Sequence, residues 1–233
     1  MPEIVIPETW NHRVKQLLRR KVKEYGCKFT HSSVTGFEWW LIYRTLVTNQ
    51  YKKAIEIGCF NHCSTLAFAE AAKSIDGFQL TTMDITYRNT IDIPWVKWNK
   101  LQGKSQDLFE QVKGKVDFVF IDGDHSAQGV QADIINAKRV LKVNGQIFLH
   151  DLNSLFNDKF GRAKRGPIIW KAITDIIPAE QWSFFPDPRS SSHGLAVYSP
   201  KISFDKIGLS NKRQPETYDT LSIRKDIWNT HEQ

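Results

Sequence analysis

Cysteine is scarce: only Cys27, Cys59 and Cys63 occur in 233 residues. So low and odd a count excludes a secreted disulfide framework and leaves free thiols as the reading. Long apolar runs are missing as well. None approaches the roughly 18 to 20 residues of a membrane span, and the N-terminus lacks the charged-then-apolar pattern of a signal peptide. A cytoplasmic location with no membrane partner is the expectation. There is no internal repeat, low-complexity segment or long linker. With 41% hydrophobic and 24% charged residues, the composition excludes global disorder. A chain this long buries roughly 70% of its unfolded surface, so its core needs neither disulfides nor a structural metal. Acids are outnumbered, 25 Asp+Glu against 32 Lys+Arg, for a net charge of +7. That surplus is compatible with nucleic acid, acidic lipid or an anionic small molecule and selects none of them. It gathers in two places, Arg13 to Lys28 and Lys159 to Lys171, which read first as a solvated helix face and a loop.

What is present is a regular alternation of elements. Trp10, Val14, Leu17, Leu18, Val22 and Tyr25 recur at helical spacing and predict an N-terminal helix packed on the main domain. A second helix is expected over Phe37 to Val47. Strands are expected at Lys53 to Gly58, Leu80 to Ile85, Val116 to Ile121, Gln146 to Leu149 and Gly194 to Tyr198. Between them lie helices at Ser64 to Lys73 and from about Ala127 to Leu141, the latter stopped by Asn144-Gly145. Strands apolar on both faces, alternating with helices, indicate a parallel sheet covered on both sides. Three segments follow: a helical extension (1–35), the main domain (36–200) and a tail (201–233).

Ligands in such sheets sit beyond the carboxyl ends of the strands. Those ends here carry Glu56-Ile57-Gly58, Asp84, Asp122-Gly123-Asp124-His125 and His150-Asp151. Four strands thus deliver polar residues to one edge, where a core explanation is weakest. The turn after the first strand, Gly58 to Thr65, has a single glycine. A dinucleotide fingerprint needs three, so that a pyrophosphate can approach the backbone. The turn suits a cofactor that brings an amino-acid end and no pyrophosphate, and Asp84 is placed to accept hydrogen bonds from a ribose diol.

These residues resemble the class I S-adenosylmethionine-dependent methyltransferases, specifically the small-molecule branch called methyltransferase family 24. The resemblance runs through Glu56 to Leu66, Asp84, Phe120 to Ser126, Asp133, Leu141, Asn144-Gly145, His150-Asp151, Gly166 to Trp170 and Gly194 to Val197. It implies a Rossmann-like, doubly wound, mostly parallel α/β sheet with the N-terminal helical extension added. It also implies that S-adenosylmethionine is held by Glu56, Gly58, Cys59, Phe60, Ser64, Asp84, Ser105, Asp122 and Gly123. In that arrangement Glu56 and Gly58 line the methionine end, Asp84 binds the ribose hydroxyls, Ser105 sits near the adenine and Asp122 lies beside the sulfonium. The family usually has a glycine where this chain has His62.

Methyl transfer to a hydroxyl requires removal of a proton, by a side chain or by a metal that acidifies the hydroxyl. Asp122, His125 and His150 are the candidate catalytic residues, with His125 or His150 as the base. Asp122 and Asp151 are candidate ligands for a divalent cation, matching two positions of the related catechol-type enzymes, while Leu152 replaces their asparagine. His150, Arg162 and Arg165 are candidate substrate-binding residues, the arginines within a basic lid suited to an anionic acceptor. The expected activity is O-methylation of a small molecule, with an amine acceptor as the lesser alternative. Methylation of RNA and a non-catalytic cofactor-binding role are the competing readings, although no RNA-binding module is evident. A homo-oligomeric state stays open. Cys59 and Cys63 lack the second ligand pair of a structural zinc site and read as buried thiols.

Overall fold

The computed structural model describes residues 16, 19–21, 23–25, 34–88, 91–151, 166–186 and 194–199. Lys53-Ala54-Ile55-Glu56-Ile57 presents polar atoms to water only at its first residue, and such a segment is stable only inside a sheet covered on both faces. It forms β1 (Lys53–Ile57), flanked by β2 (Gln79–Asp84) and β4 (Val116–Ile121) in parallel register, Glu56 lying opposite both Thr82 and Phe120. Beyond β2 lies β3 (Lys97–Gln102), and beyond β4 lies β5 (Leu141–Leu149), both parallel. Two antiparallel strands, β6 (Trp182–Pro186) and β7 (Gly194–Tyr198), complete a seven-stranded sheet of order β3-β2-β1-β4-β5-β7-β6.

The pleat sorts the core into two layers. Ala54, Phe118, Phe120 and Phe148 face α1 (Gly36–Asn49) and α2 (Thr65–Ala72), which pack on each other. Ile55, Ile57, Val119, Ile121, Ile147 and Leu149 face α4 (Ala127–Val140) and α5 (Gly166–Thr174), which likewise pack together. A single-turn helix, α3 (Ser105–Leu108), joins β3 to the strand-end edge. Each fully buried Phe in the first layer contributes about 2–3 kcal/mol by area. Among the described residues no helix is long and apolar enough to cross a membrane.

Three sequence expectations shift. The helix expected to run to Leu141 ends at Val140, and β5 begins at once, so Asn144-Gly145 lies within the strand and does not stop the helix. A Cβ at Gly145 would lie 2.8 Å from the Asp117 carbonyl oxygen, so glycine there answers a close backbone approach. The edge strands β3 and β6 had not been expected at all. In the segment expected as an N-terminal helix, residues 16, 19–21 and 23–24 are helical, and Tyr25 reaches Glu70 of α2 at 2.9 Å and the Trp95 ring at 5.9 Å. The remainder of that segment, Cys27, Leu152, Asn153, Arg162, Lys164, Arg165 and the tail 201–233 lie outside the described residues.

Candidate active site

The strand ends are aligned by ladder bonds that continue past the strands. Gly58 N–H donates to Met83 O, Asp122 N–H to Ile57 O and His150 N–H to Ile121 O, all at 2.8–3.0 Å. Gly58 has a φ of 81°, and a Cβ there would lie 2.0 Å from the Asp122 carbonyl oxygen. No side chain fits, so the turns after β1 and β4 meet backbone to backbone at the centre of the edge.

The β1 turn is tied down from two directions. Asp84 Oδ2 accepts from Cys59 N–H at 2.7 Å and Phe60 N–H at 3.0 Å, and its Oδ1 accepts from Thr86 N–H. Oδ2 has both lone-pair sites in use, which leaves acceptor capacity on Oδ1. Glu56 is wholly buried beneath the turn. Thr65 Oγ1 donates to its Oε2 at 2.7 Å, and Oε1 has no hydrogen-bond partner. Burial pushes the Glu56 carboxyl up to about 7, against the lowering influence of Ser64, Thr65 and Cys59. Phe60 sits exposed at the turn with the Arg88 guanidinium 4.6 Å above its ring, while Ser64 is buried at the start of α2. Burial raises the Cys59 thiol well above its usual range, and both cysteines of the turn are buried thiols outside any disulfide.

The polar cluster lies at the β4 and β5 ends. His150 is enclosed, with Nδ1 3.0 Å from Asp122 Oδ1 and 3.2 Å from Asp151 Oδ1, and Nε2 3.1 Å from Glu38 Oε2. Burial opposes charge on this ring, but Asp122 and Glu38 outweigh it and hold the pKa well above the ordinary histidine value. Both ring nitrogens face carboxylate oxygens, an arrangement that favours the doubly protonated ring. His125 is half exposed, its Nε2 3.4 Å from Asp122 Oδ1 and 3.3 Å from Asp151 Oδ2. The Asp122 hydrogen bond raises its pKa despite burial. Burial alone would raise Asp122; His150 and His125 overcome it and hold the carboxyl down at about 2. Asp151 adopts a left-handed φ of 63°, a conformation aspartate tolerates better than most residues, and its carboxylate faces both histidines. One ligand atom from each of Asp122, His125 and Asp151 lies within 4.8 Å of the others.

Glu38 is the residue that sequence reasoning missed. It is the third residue of α1, and Thr35 N–H donates to its Oε2 while Thr35 Oγ1 accepts from Glu38 N–H. This capping box was legible as Thr35-x-x-Glu38. Its tertiary use was not: Oε1 accepts from Gly194 N–H at 2.7 Å, and Oε2 faces His150 across 112 positions.

Ser105, buried at the start of α3, donates to Asp133 Oδ1, and Asp133 Oδ2 has no partner; burial pushes Asp133 up to about 6. A Cβ at Gly123 would lie 3.0 Å from Ile57 Cγ2, a tight contact, and 3.6 Å from Asp133 Oδ2. Asp124 accepts from Ser126 N–H and Oγ–H at the start of α4, which keeps its pKa low. Lys171 pairs with Asp175 along α5 in an exposed ion pair.

Residues 55–152 match the family model described as a methyltransferase domain. No curated protein sequence matches the chain. Among solved structures, the chain is similar to an O-methyltransferase from Bacillus cereus in complex with SAH, at 15% identity and a TM-score of 0.58, covering 84% of this chain and 93% of that one. It is also similar to the O-methyltransferase TomG from Streptomyces achromogenes, involved in tomaymycin synthesis and in complex with SAM, at 11% identity and a TM-score of 0.57, covering 85% and 100%. A third likeness is to MycE, a methyltransferase of mycinamycin biosynthesis in complex with Mg and SAH, at 15% identity and a TM-score of 0.52, covering 78% and 54%. At these identities the likeness establishes the fold alone.

Proposed function

We propose that the chain, whose residues 55–152 match the methyltransferase-domain family, transfers a methyl group from S-adenosylmethionine to a hydroxyl of a small molecule. The observation that carries this reading is the cluster of Asp122, His125, His150 and Asp151, set beside the point where the β1 and β4 turns touch. The residues present fit the cofactor. Glu56 Oε1 is a buried acceptor without a donor, which an ammonium group would satisfy. Asp84 keeps acceptor capacity for a ribose hydroxyl on Oδ1. When bound, S-adenosylmethionine supplies an electrophilic methyl carried on a sulfonium.

The chain's own residues then have separable tasks. Asp122 stays ionised beside the reacting centre and receives Nδ1–H of His150, whose other nitrogen is spent on Glu38. His150 thus has no lone pair for a proton and serves to orient Asp122. Of the two candidate bases, His125 has the geometry for proton removal. Its Nε2 faces Asp122 and Asp151, and Nδ1 takes no hydrogen bond among the described residues. A carboxylate-supported imidazole facing open space is suited to take the acceptor hydroxyl proton at Nδ1. Holding the acceptor in line supplies several kcal/mol of the barrier reduction.

The convergence of Asp122, His125 and Asp151 favours a second use of the same side chains, as ligands of a divalent cation that acidifies the hydroxyl. A mixed oxygen and imidazole set suits manganese, iron or zinc, and the two carboxylates alone suit magnesium. The test is transfer of labelled methyl from S-adenosylmethionine to a panel of phenols, catechols and sugar hydroxyls, with and without EDTA. Turnover that survives chelation assigns His125 as the base. Turnover abolished by chelation and restored by metal assigns the cation. The absence of transfer to every acceptor, with cofactor bound, contradicts the proposal.

A further inference from the structure

His62 stands where the chain turns back into α2, with a φ of 62° that suits glycine and is uncommon for a side chain of this size. Its ring is wholly buried. Tyr87 stacks on it at 6.0 Å with planes 14° apart, and Trp98 meets it edge-on at 5.5 Å and 87°. That cage is itself anchored to β2, because Tyr87 Oη lies 2.9 Å from Thr82 Oγ1, and Trp98 Nε1 donates to the same oxygen at 2.9 Å. The ring therefore neither points to solvent nor hangs loose in the turn.

Its Nδ1 lies 3.2 Å from Thr65 Oγ1. The single hydroxyl proton of Thr65 goes to Glu56 Oε2, so the ring nitrogen facing Thr65 must carry a hydrogen and donate. The result is a directed chain, His62 to Thr65 to Glu56, that fixes one carboxylate oxygen and leaves the other, Oε1, buried with no partner. A buried carboxylate oxygen without a donor is costly unless a ligand completes it.

We propose that His62 is a positioning residue which, through Thr65, holds Glu56 ready to receive the ammonium group at the amino-acid end of the cofactor. This rests on the cofactor reading above. Strained backbone at His62 is retained for the contacts its ring makes, as strained positions at functional sites commonly are.

The test compares two ligands by titration calorimetry: S-adenosylhomocysteine, which carries the ammonium group, and 5′-methylthioadenosine, which lacks the amino-acid end. His62→Phe keeps a ring for the aromatic cage and removes the donor. Thr65→Val breaks the next link, and His62→Gly frees the backbone. All three are expected to weaken S-adenosylhomocysteine about tenfold or more, the effect of losing a hydrogen bond that supports a charged contact. The affinity for 5′-methylthioadenosine should stay within about threefold, which also shows that the site is folded. Unchanged or tighter S-adenosylhomocysteine binding in His62→Phe overturns the assignment, as does parallel weakening of both ligands. If the unaltered protein binds neither ligand, the cofactor reading itself falls and the role of His62 falls with it.

Discussion

Strand β4 carries a carboxylate near each end, and the two have opposite characters. Asp117, near the start of the strand, accepts from Lys52 N–H, Lys53 N–H and the Lys142 ammonium at 2.7–3.0 Å. Every donor is a fixed backbone group or a lysine, and the arrangement ties β1, β4 and β5 together at their amino ends. Asp122, just past the other end, meets two histidines, one enclosed and one open to solvent. The same side-chain type on one strand is structural where fixed donors saturate it. On the function proposed above it is chemical where its partners can exchange protons or give way to a ligand.

This contrast can be broken by substitution. The largest effect belongs to Asp122→Asn, which keeps an oxygen for His150 Nδ1–H and removes the charge, expected to lower methyl transfer by about 100-fold or more, as loss of a charge at the proposed reacting centre does. The counterpart, Asp117→Ala, is expected to remove about 2–4 kcal/mol of stability in urea unfolding while leaving S-adenosylhomocysteine affinity intact, because it orphans two backbone N–H groups and a lysine. Loss of activity in Asp117→Ala without loss of stability would erase the distinction between the two ends.

A third carboxylate sharpens the comparison through pH. Asp133 is buried with its pKa raised from 3.8 to about 6, the effect of burial outweighing the Ser105 hydrogen bond. A folded-state pKa above the unfolded one means the native protein binds that proton more tightly. The contribution is present below pH 4 and is lost as pH rises from about 4 through 6. Asp133→Asn should remove this dependence, so that stability relative to the native sequence improves by about 2–3 kcal/mol between pH 4 and pH 8. A constant difference across that range would contradict the assignment. The smallest effect is expected at Glu38→Gln, which keeps the acceptor for Gly194 N–H and removes the charge behind His150. Methyl transfer should fall about tenfold, and the same substitution in a His150→Gln background should add little, since groups acting as a unit are not additive.

The sequence carried the interior of the sheet and lost its margins. The strands β1, β4 and β7 are legible because burial on both faces leaves runs of apolar residues, and β2 because a β-branched run ends in an acid. The edge strand β3 was not, since Lys97, Asn99, Lys100 and Gln102 are exposed and an edge strand needs little apolar pattern. The end of α4 was misplaced for a related reason: Asn144-Gly145 resembles a stop, yet its glycine serves the contact with Asp117. Within the candidate site, Asp84, Asp122, His125, His150 and Asp151 were found by their position after strands. Glu38 escaped because its partners, His150 and Gly194, are more than a hundred positions away. The inward ring of His62 escaped likewise, since Tyr87 and Trp98 decide where it goes.

The central claim is that the edge formed by Gly58, Asp84 and Asp122 holds S-adenosylmethionine, and a crystal structure grown with S-adenosylhomocysteine tests it most directly. The ribose hydroxyls are expected at Asp84, the ammonium group at Glu56 and the sulfur beside Asp122. Density for the ligand elsewhere, or an empty edge at saturating ligand, would contradict it.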